Sequence, residues 1–264
     1  MSRCISCGRE LSTRLGGLCA ACLLRSALEA DVAPGLKSPK ARVIAPIGRG
    51  PHATVYLAQG PKGHQDLMTL KVFEEQLDSS TFIAHIEALI RKLRTFPAAA
   101  SVTIVEGGQT ENGTVWVLAR YVPGASIDAF CRLSGSGNFD RRTLVARLCL
   151  LVSEMHRVDI VHGSIKPSNV IVTAGSDGPE VVLLDTGLQL ALETARSIAD
   201  AGTQERDDVP NRRRDLLALH ALVVDLLGGG DLGAAPESIR ALARRRYASA
   251  SELAEDITLI AGTK

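Results

Sequence analysis

TVYLAQ, from Thr54 to Gln59, follows a period of two, the mark of a strand. The preceding stretch RVIAPIG has strand character as well, so the turn holding Gly48 and Gly50 joins strand to strand. LMTLKVF predicts a third strand, with Lys71 among apolar neighbours. The period then lengthens. Phe82, Ile83, Ile86, Leu89, Ile90 and Leu93 fall at helical spacing behind Ser80, which is placed to cap them. TLVARLCLLVSEMHR sets Leu144, Val145, Leu148, Leu151, Val152 and Met155 on one helical face. VIV and VVLL are two short strands separated by TAGSDGPE, a turn-rich link that predicts a hairpin. The longest apolar run, LLALHALVVDLL from Leu216, is interrupted by His220 and Asp225 and is too short to span a bilayer.

Ahead of these elements the pattern is different. Cys4-x-x-Cys7 and Cys19-x-x-Cys22 lie eleven residues apart, the arrangement in which two tight turns each present two thiolates to a tetrahedral zinc ion. Gly8 suits the first turn, and Gly16 and Gly17 turn the chain back. So short a segment cannot bury a core of its own, and the metal would supply its folding energy. The expectation is a structural zinc ribbon over residues 1–28 with Cys4, Cys7, Cys19 and Cys22 as ligands. EADVAPGLKSPK carries no periodicity and reads as a linker, 29–40. Cys131 and Cys149 stand among apolar residues as core-facing thiols.

Composition narrows the classes. With 264 residues, 45% of them hydrophobic, the chain can bury one sizeable core or two lobes sharing one. Thirty basic and 29 acidic residues leave a net charge of +1, so no overall field draws the protein to nucleic acid or to an anionic membrane. The start MSRCISCGRE lacks the apolar core of a signal peptide. The expectation is a cytoplasmic protein with no membrane and no nucleic-acid partner.

Candidate chemistry lies in the main domain. A glycine-rich hairpin can cover a nucleotide as a flap, its backbone N–H groups near the phosphates, although two glycines in a hairpin more often make only a turn. Glu87 lies on the edge of the buried face of its helix, where a carboxylate needs a cation. Pairing with Lys71 would hold the lysine where it can bind phosphate; a solvated Glu87 is the alternative. Folding the VIV/VVLL hairpin sets Asn169 beside Asp185, two oxygen donors suited to magnesium, which takes few protein ligands and fills its shell with waters and phosphates.

Taken in order, these motifs resemble a bacterial serine/threonine protein kinase over nearly everything after the linker. Gly48-x-Gly50-x-x-Ala53-x-Val55 is similar to the glycine-rich loop, with its third glycine replaced. Lys71 matches the nucleotide-holding lysine and Glu87 its helix partner, ten residues ahead of Pro97. RYVPG, from Arg120 to Gly124, resembles the hinge between lobes. In VHGSIKPSNVIV, Lys166 and Asn169 match the catalytic-loop lysine and metal-binding asparagine, Asp185-Thr186-Gly187 stands for Asp-Phe-Gly, and Asp215 resembles the aspartate opening the central helix of the large lobe.

The resemblance implies an α+β, two-lobed kinase-like fold over 41–264, with a β-rich small lobe over 41–121 and a shortened helical large lobe over 122–264. It implies ATP and magnesium as ligands, with Gly48, Gly50, Val55, Lys71, Glu87, Asn169 and Asp185 around them. Gly163 and Ser164 replace the Arg-Asp of His-Arg-Asp, so the catalytic base is gone, and no Ala-Pro-Glu phrase follows. The resulting expectation is a pseudokinase that binds nucleotide and acts through an unidentified protein partner. The alternatives are a divergent active kinase or other phosphoryl or nucleotidyl transferase using Lys166, Asn169 and Asp185, and a scaffold that binds no nucleotide.

Overall fold

The computed structural model describes residues 41–50, 52–60, 67–74, 77–94, 96, 104–133, 141–175, 178–199 and 211–262. The four proposed zinc ligands, the linker and the Pro97 phrase lie outside these residues. The chain divides into two compact units. Among the described residues, the first takes in 41–94, 104–124 and 191–199, and the second 96, 125–190 and 211–262.

The first unit is built on a five-stranded antiparallel sheet: β1 (Arg42–Arg49), β2 (Ala53–Gln59), β3 (Leu67–Phe73), β4 (Ile104–Gln109) and β5 (Val115–Arg120), in the order β1-β2-β3-β5-β4. Strand alternation sorts the side chains. Tyr56, Ala58, Met68, Leu70, Val72, Trp116 and Leu118 form one apolar cluster, whereas Lys71 and Phe73 project from the other side of β3. Phe73 meets Phe82 of helix α1 (Ser79–Leu93) edge to face at 5.6 Å. Helix α1 crosses the sheet at β4, where Gly107 leaves the room: a Cβ there would stand 2.7 Å from Ile86 Cγ2. The helix is capped by Asp78 rather than Ser80. The Asp78 carboxylate accepts the Thr81 N–H at 2.7 Å, and Ser80, already in the first turn, only donates to that carboxylate.

The second unit opens with β6 (Ala125–Ser126) and helix α2 (Ile127–Leu133), followed by α3 (Arg141–Arg157). The apolar face predicted for α3 is its buried face, with Leu144, Val145, Leu148, Leu151, Val152 and Met155 all inside. Cys131 and Cys149 are buried too, and burial pushes the Cys149 thiol up to about 12. The hairpin is β7 (Val170–Gly175) and β8 (Gly178–Leu183). Pairing extends to Gly175 opposite Gly178, so most of the expected turn-rich link is strand.

Helix α4 (Leu188–Ala199) follows, with Leu188, Ala191, Leu192 and Ala195 buried at helical spacing. From Ala191 it belongs to the first unit, where the Ala195 carbonyl accepts the Asp78 N–H at 3.3 Å. Helix α5 (Arg212–Gly228) is capped by Asn211 at its start and closed by Gly229 at φ 69°. Helices α6 (Glu237–Arg244) and α7 (Ala250–Gly262) complete the unit, α7 lying along α3. Among the described residues no helix is long and apolar enough to cross a membrane.

Candidate functional site

In the second unit, Ile160 to Asn169 links α3 to the hairpin, and its shape is set by one carboxylate. Asp215, in the first turn of α5, is 1% exposed. Its Oδ1 accepts the Gly163 N–H at 2.8 Å, and its Oδ2 accepts the His162 N–H at 2.7 Å and lies 3.0 Å from His156 Nε2. A buried carboxylate is tolerable only when its lone pairs are used, and three donors use them here. Turning two successive N–H groups onto one carboxylate puts Gly163 at φ 81°, a backbone that a side chain strains by roughly 1–2 kcal/mol. Glycine at this place removes that strain.

His162 is fully buried. Its Nδ1 accepts the Ser164 N–H at 3.2 Å, which assigns its ring proton to Nε2. Burial holds the imidazole below its ordinary 6.5 against the opposing pull of Asp215 and Asp185, so it is the neutral ring that packs here. Ser164 stands between this histidine and Asn169. The Asn169 amide donates to the Ser164 carbonyl at 2.9 Å and lies 3.3 Å from the Ser164 hydroxyl, leaving Asn169 Oδ1 as the acceptor of that side chain. Lys166 is exposed, and its carbonyl receives the Asn169 N–H of the short 3₁₀ turn Pro167–Asn169.

Asn169 and Asp185 come to the same open end of the hairpin. Val170 pairs with Leu183, the Asn169 carbonyl accepts the Leu184 N–H at 2.8 Å, and Asp185 is the next residue. Asp185 takes φ 58°, uncommon for a residue with a side chain. Gly187 at φ 74° then donates its N–H to the His162 carbonyl, which ties the Asp-Thr-Gly turn to the loop. Both residues carry side-chain oxygens, the donor type that magnesium takes. Among the described residues no group of three or more His, Cys, Asp or Glu side chains is placed to hold a metal.

The other predicted residues lie in the first unit. The Gly48–Gly50 turn joins β1 to β2 as expected, closed by Gly50 N–H to the Ala53 carbonyl at 2.9 Å, with Val55 opposite Gly48 and Lys71. Lys71 shares its face of β3 with Phe73, Nζ lying 5.8 Å from that ring. Glu87 is not brought to it. The glutamate is exposed on α1, and its carboxylate has no ion-pair partner among the described residues. The expected pairing is therefore corrected: Glu87 turns outside the buried stripe of Phe82 and Ile86.

Sequence reasoning passed over His156 and the anchoring of His162. A signal existed in Asp215, since a carboxylate one turn into an apolar helix must find donors.

No family model matches the chain. Among curated proteins it is 26% identical over 164 residues to a probable serine/threonine-protein kinase, PkwA of Thermomonospora curvata, covering 61% of this chain and 21% of that one. It is 24% identical over 208 residues to the serine/threonine-protein kinase pkn3 of Myxococcus xanthus, covering 72% and 38%. The chain thus spans well under half the length of these relatives. Among solved structures, the Mycobacterium tuberculosis PknI kinase domain superposes with a TM-score of 0.60 at 18% identity, over 88% of this chain and 100% of that one. The chain has a protein kinase-like fold, a sheet-built small unit and a helical one, and its sequence relatives are bacterial serine/threonine protein kinases.

Proposed function

We propose that the chain is a pseudokinase: a kinase-like module that binds ATP with magnesium and works mainly by presenting a surface to a protein partner. The observation that carries this reading is the loop around Ser164. It is held by hydrogen bonds running from Asp215 through His162 to Asn169, yet the side chain at the position of the missing acid is a hydroxyl. A serine hydroxyl is not ionised near neutral pH and offers only a weak hydrogen bond to a substrate hydroxyl. Loss of a positioned base costs about 10²–10⁴ in rate.

Lys71 is the residue for nucleotide phosphate, and Asn169 Oδ1 with the Asp185 carboxylate are the donors for magnesium; bound there, the ion would neutralise phosphate charge. Glu87 has no part in this reading as the chain stands. A divergent active kinase is the second reading. It is favoured by the placing of Asn169 and Asp185 at the same end of the hairpin, because phosphoryl transfer depends chiefly on positioning and charge.

Thermal-shift titration with ATP, GTP and ADP, with and without magnesium, tests nucleotide binding, since a ligand of the folded state must raise the midpoint. The expected result is a magnesium-dependent rise with ATP that Lys71→Met and Asp185→Asn each diminish, each removing an interaction worth about 1.5–3 kcal/mol. A flat response to every nucleotide refutes the binding half. Radiolabelled ATP assays separate the two readings: robust peptide phosphorylation by the unaltered chain would establish the second, and Ser164→Asp is expected to yield weak activity at most.

A further inference from the structure

Exposed large apolar side chains occur on several helices of the second unit, Leu133 on α2, Leu150 on α3 and Leu259 on α7 among them, and those at α5 border a groove. Leu217 is 61% exposed and Leu232, in the turn after the helix, 42%. Together with Ala221, Val224 and Ala243 they line an open groove of about 430 Å³. Its rim is acidic. Asp225 has no ion-pair partner among the described residues, and Asp231 is met only by the backbone N–H groups of Gly233 and Ala234. Among the described residues no lysine or arginine lines the groove. Its one histidine, His220, is turned inward, Nε2 lying 3.0 Å from the Leu242 carbonyl.

Large apolar side chains left in water beside uncompensated carboxylates mark a place made to be covered, and the uncompensated charge says by what. From Leu217 to Gly228 the groove follows twelve residues of helix, or ~16 Å. That length accommodates three turns of a second helix.

We propose that this groove docks a short amphipathic helix of a partner protein, its leucine-like side chains entering between Leu217 and Leu232 and its lysines or arginines meeting Asp225 and Asp231. The mode is a helix laid in a groove, read through apolar anchors one and two turns apart. It rests on the protein-interaction half of the proposed function and is independent of nucleotide.

The test uses the full chain and two fluorescent synthetic helices of about 12 residues, both with leucines at i, i+4 and i+7. One carries lysine and arginine at its remaining positions and the other glutamate. Anisotropy should report binding of the basic helix and at least ~10-fold weaker binding of the acidic one. Asp225→Lys with Asp231→Lys should reverse the preference. Leu217→Asp should weaken the basic helix by ~10-fold or more, with an unchanged melting midpoint because the site is already exposed. Equal binding of the two helices, or binding indifferent to Leu217→Asp, would overturn the proposal. So would self-association in sedimentation that Leu217→Asp abolishes, since a second copy would then be the occupant. The magnesium-ATP thermal shift, measured on the same variants, should be intact in all of them, which separates failure of the groove from failure of nucleotide binding.

Discussion

Burying a histidine is tolerable only while the ring stays neutral, and His162 sets a lower limit on the pH at which this fold is fully stable. Its folded-state value lies below the ordinary 6.5 because of burial. The unfolded chain therefore binds a proton first as pH falls. Above 6.5 the histidine costs nothing; between 6.5 and its folded value, stability is expected to decline, levelling off once both states are protonated. The melting midpoint should drop over this window in the unaltered chain and drop less in His162→Gln; parallel curves would remove His162 as the cause. The sequence put His162 in the loop without revealing this, because its surroundings come from Asp215 and Leu184, both distant in the chain. Glu87 failed for a related reason. Helical period fixes a residue's angle on the helix, but whether an edge position meets a cation depends on how the helix lies on its sheet.

Elements were legible wherever one period ran uninterrupted. The strands β1 to β3 and helices α1 and α3 follow their apolar repeats, since burial of one face decides both their type and their register. Helix α4 was hidden because half of its buried stripe is alanine, Ala191 and Ala195, in a stretch that reads as polar. The capping of α1 was misplaced by two residues, from Asp78 to Ser80, where two good capping side chains compete. Strand β4 was never proposed. Its glycines carry little strand signal, yet they are what lets the sheet and α1 come together. Gly107→Ala should destabilise the protein by about 1–3 kcal/mol, because Ile86 lies in the way and its buried side chain must shift. Chemical denaturation should show it, and pairing the change with Ile86→Ala, which removes the obstructing Cγ2, should cost less than the sum of the two single changes; a neutral Gly107→Ala would mean that α1 moves freely over β4.

At the scale of the molecule, the kinase-like organisation was readable because seven short motifs occur in one order, and order survives when identity has fallen to 26%. The proposed ribbon belongs to this scale, as the segment outside the described residues that asks for a metal of its own. About one zinc per chain is expected by elemental analysis, lost in a Cys4→Ser, Cys7→Ser double variant and retained in Cys131→Ser, since Cys131 is buried in the second unit. Unchanged zinc in the double variant would rule out these ligands. The Asp215 bonds carry one more implication. They join residues 52 and 53 positions apart, so during synthesis the loop from Val161 to Asn169 emerges long before the carboxylate that shapes it. The His162 and Gly163 N–H groups must wait in water until α5 has formed and docked. The loop is therefore among the last parts of its unit to assemble, as contacts between distant segments form after local ones.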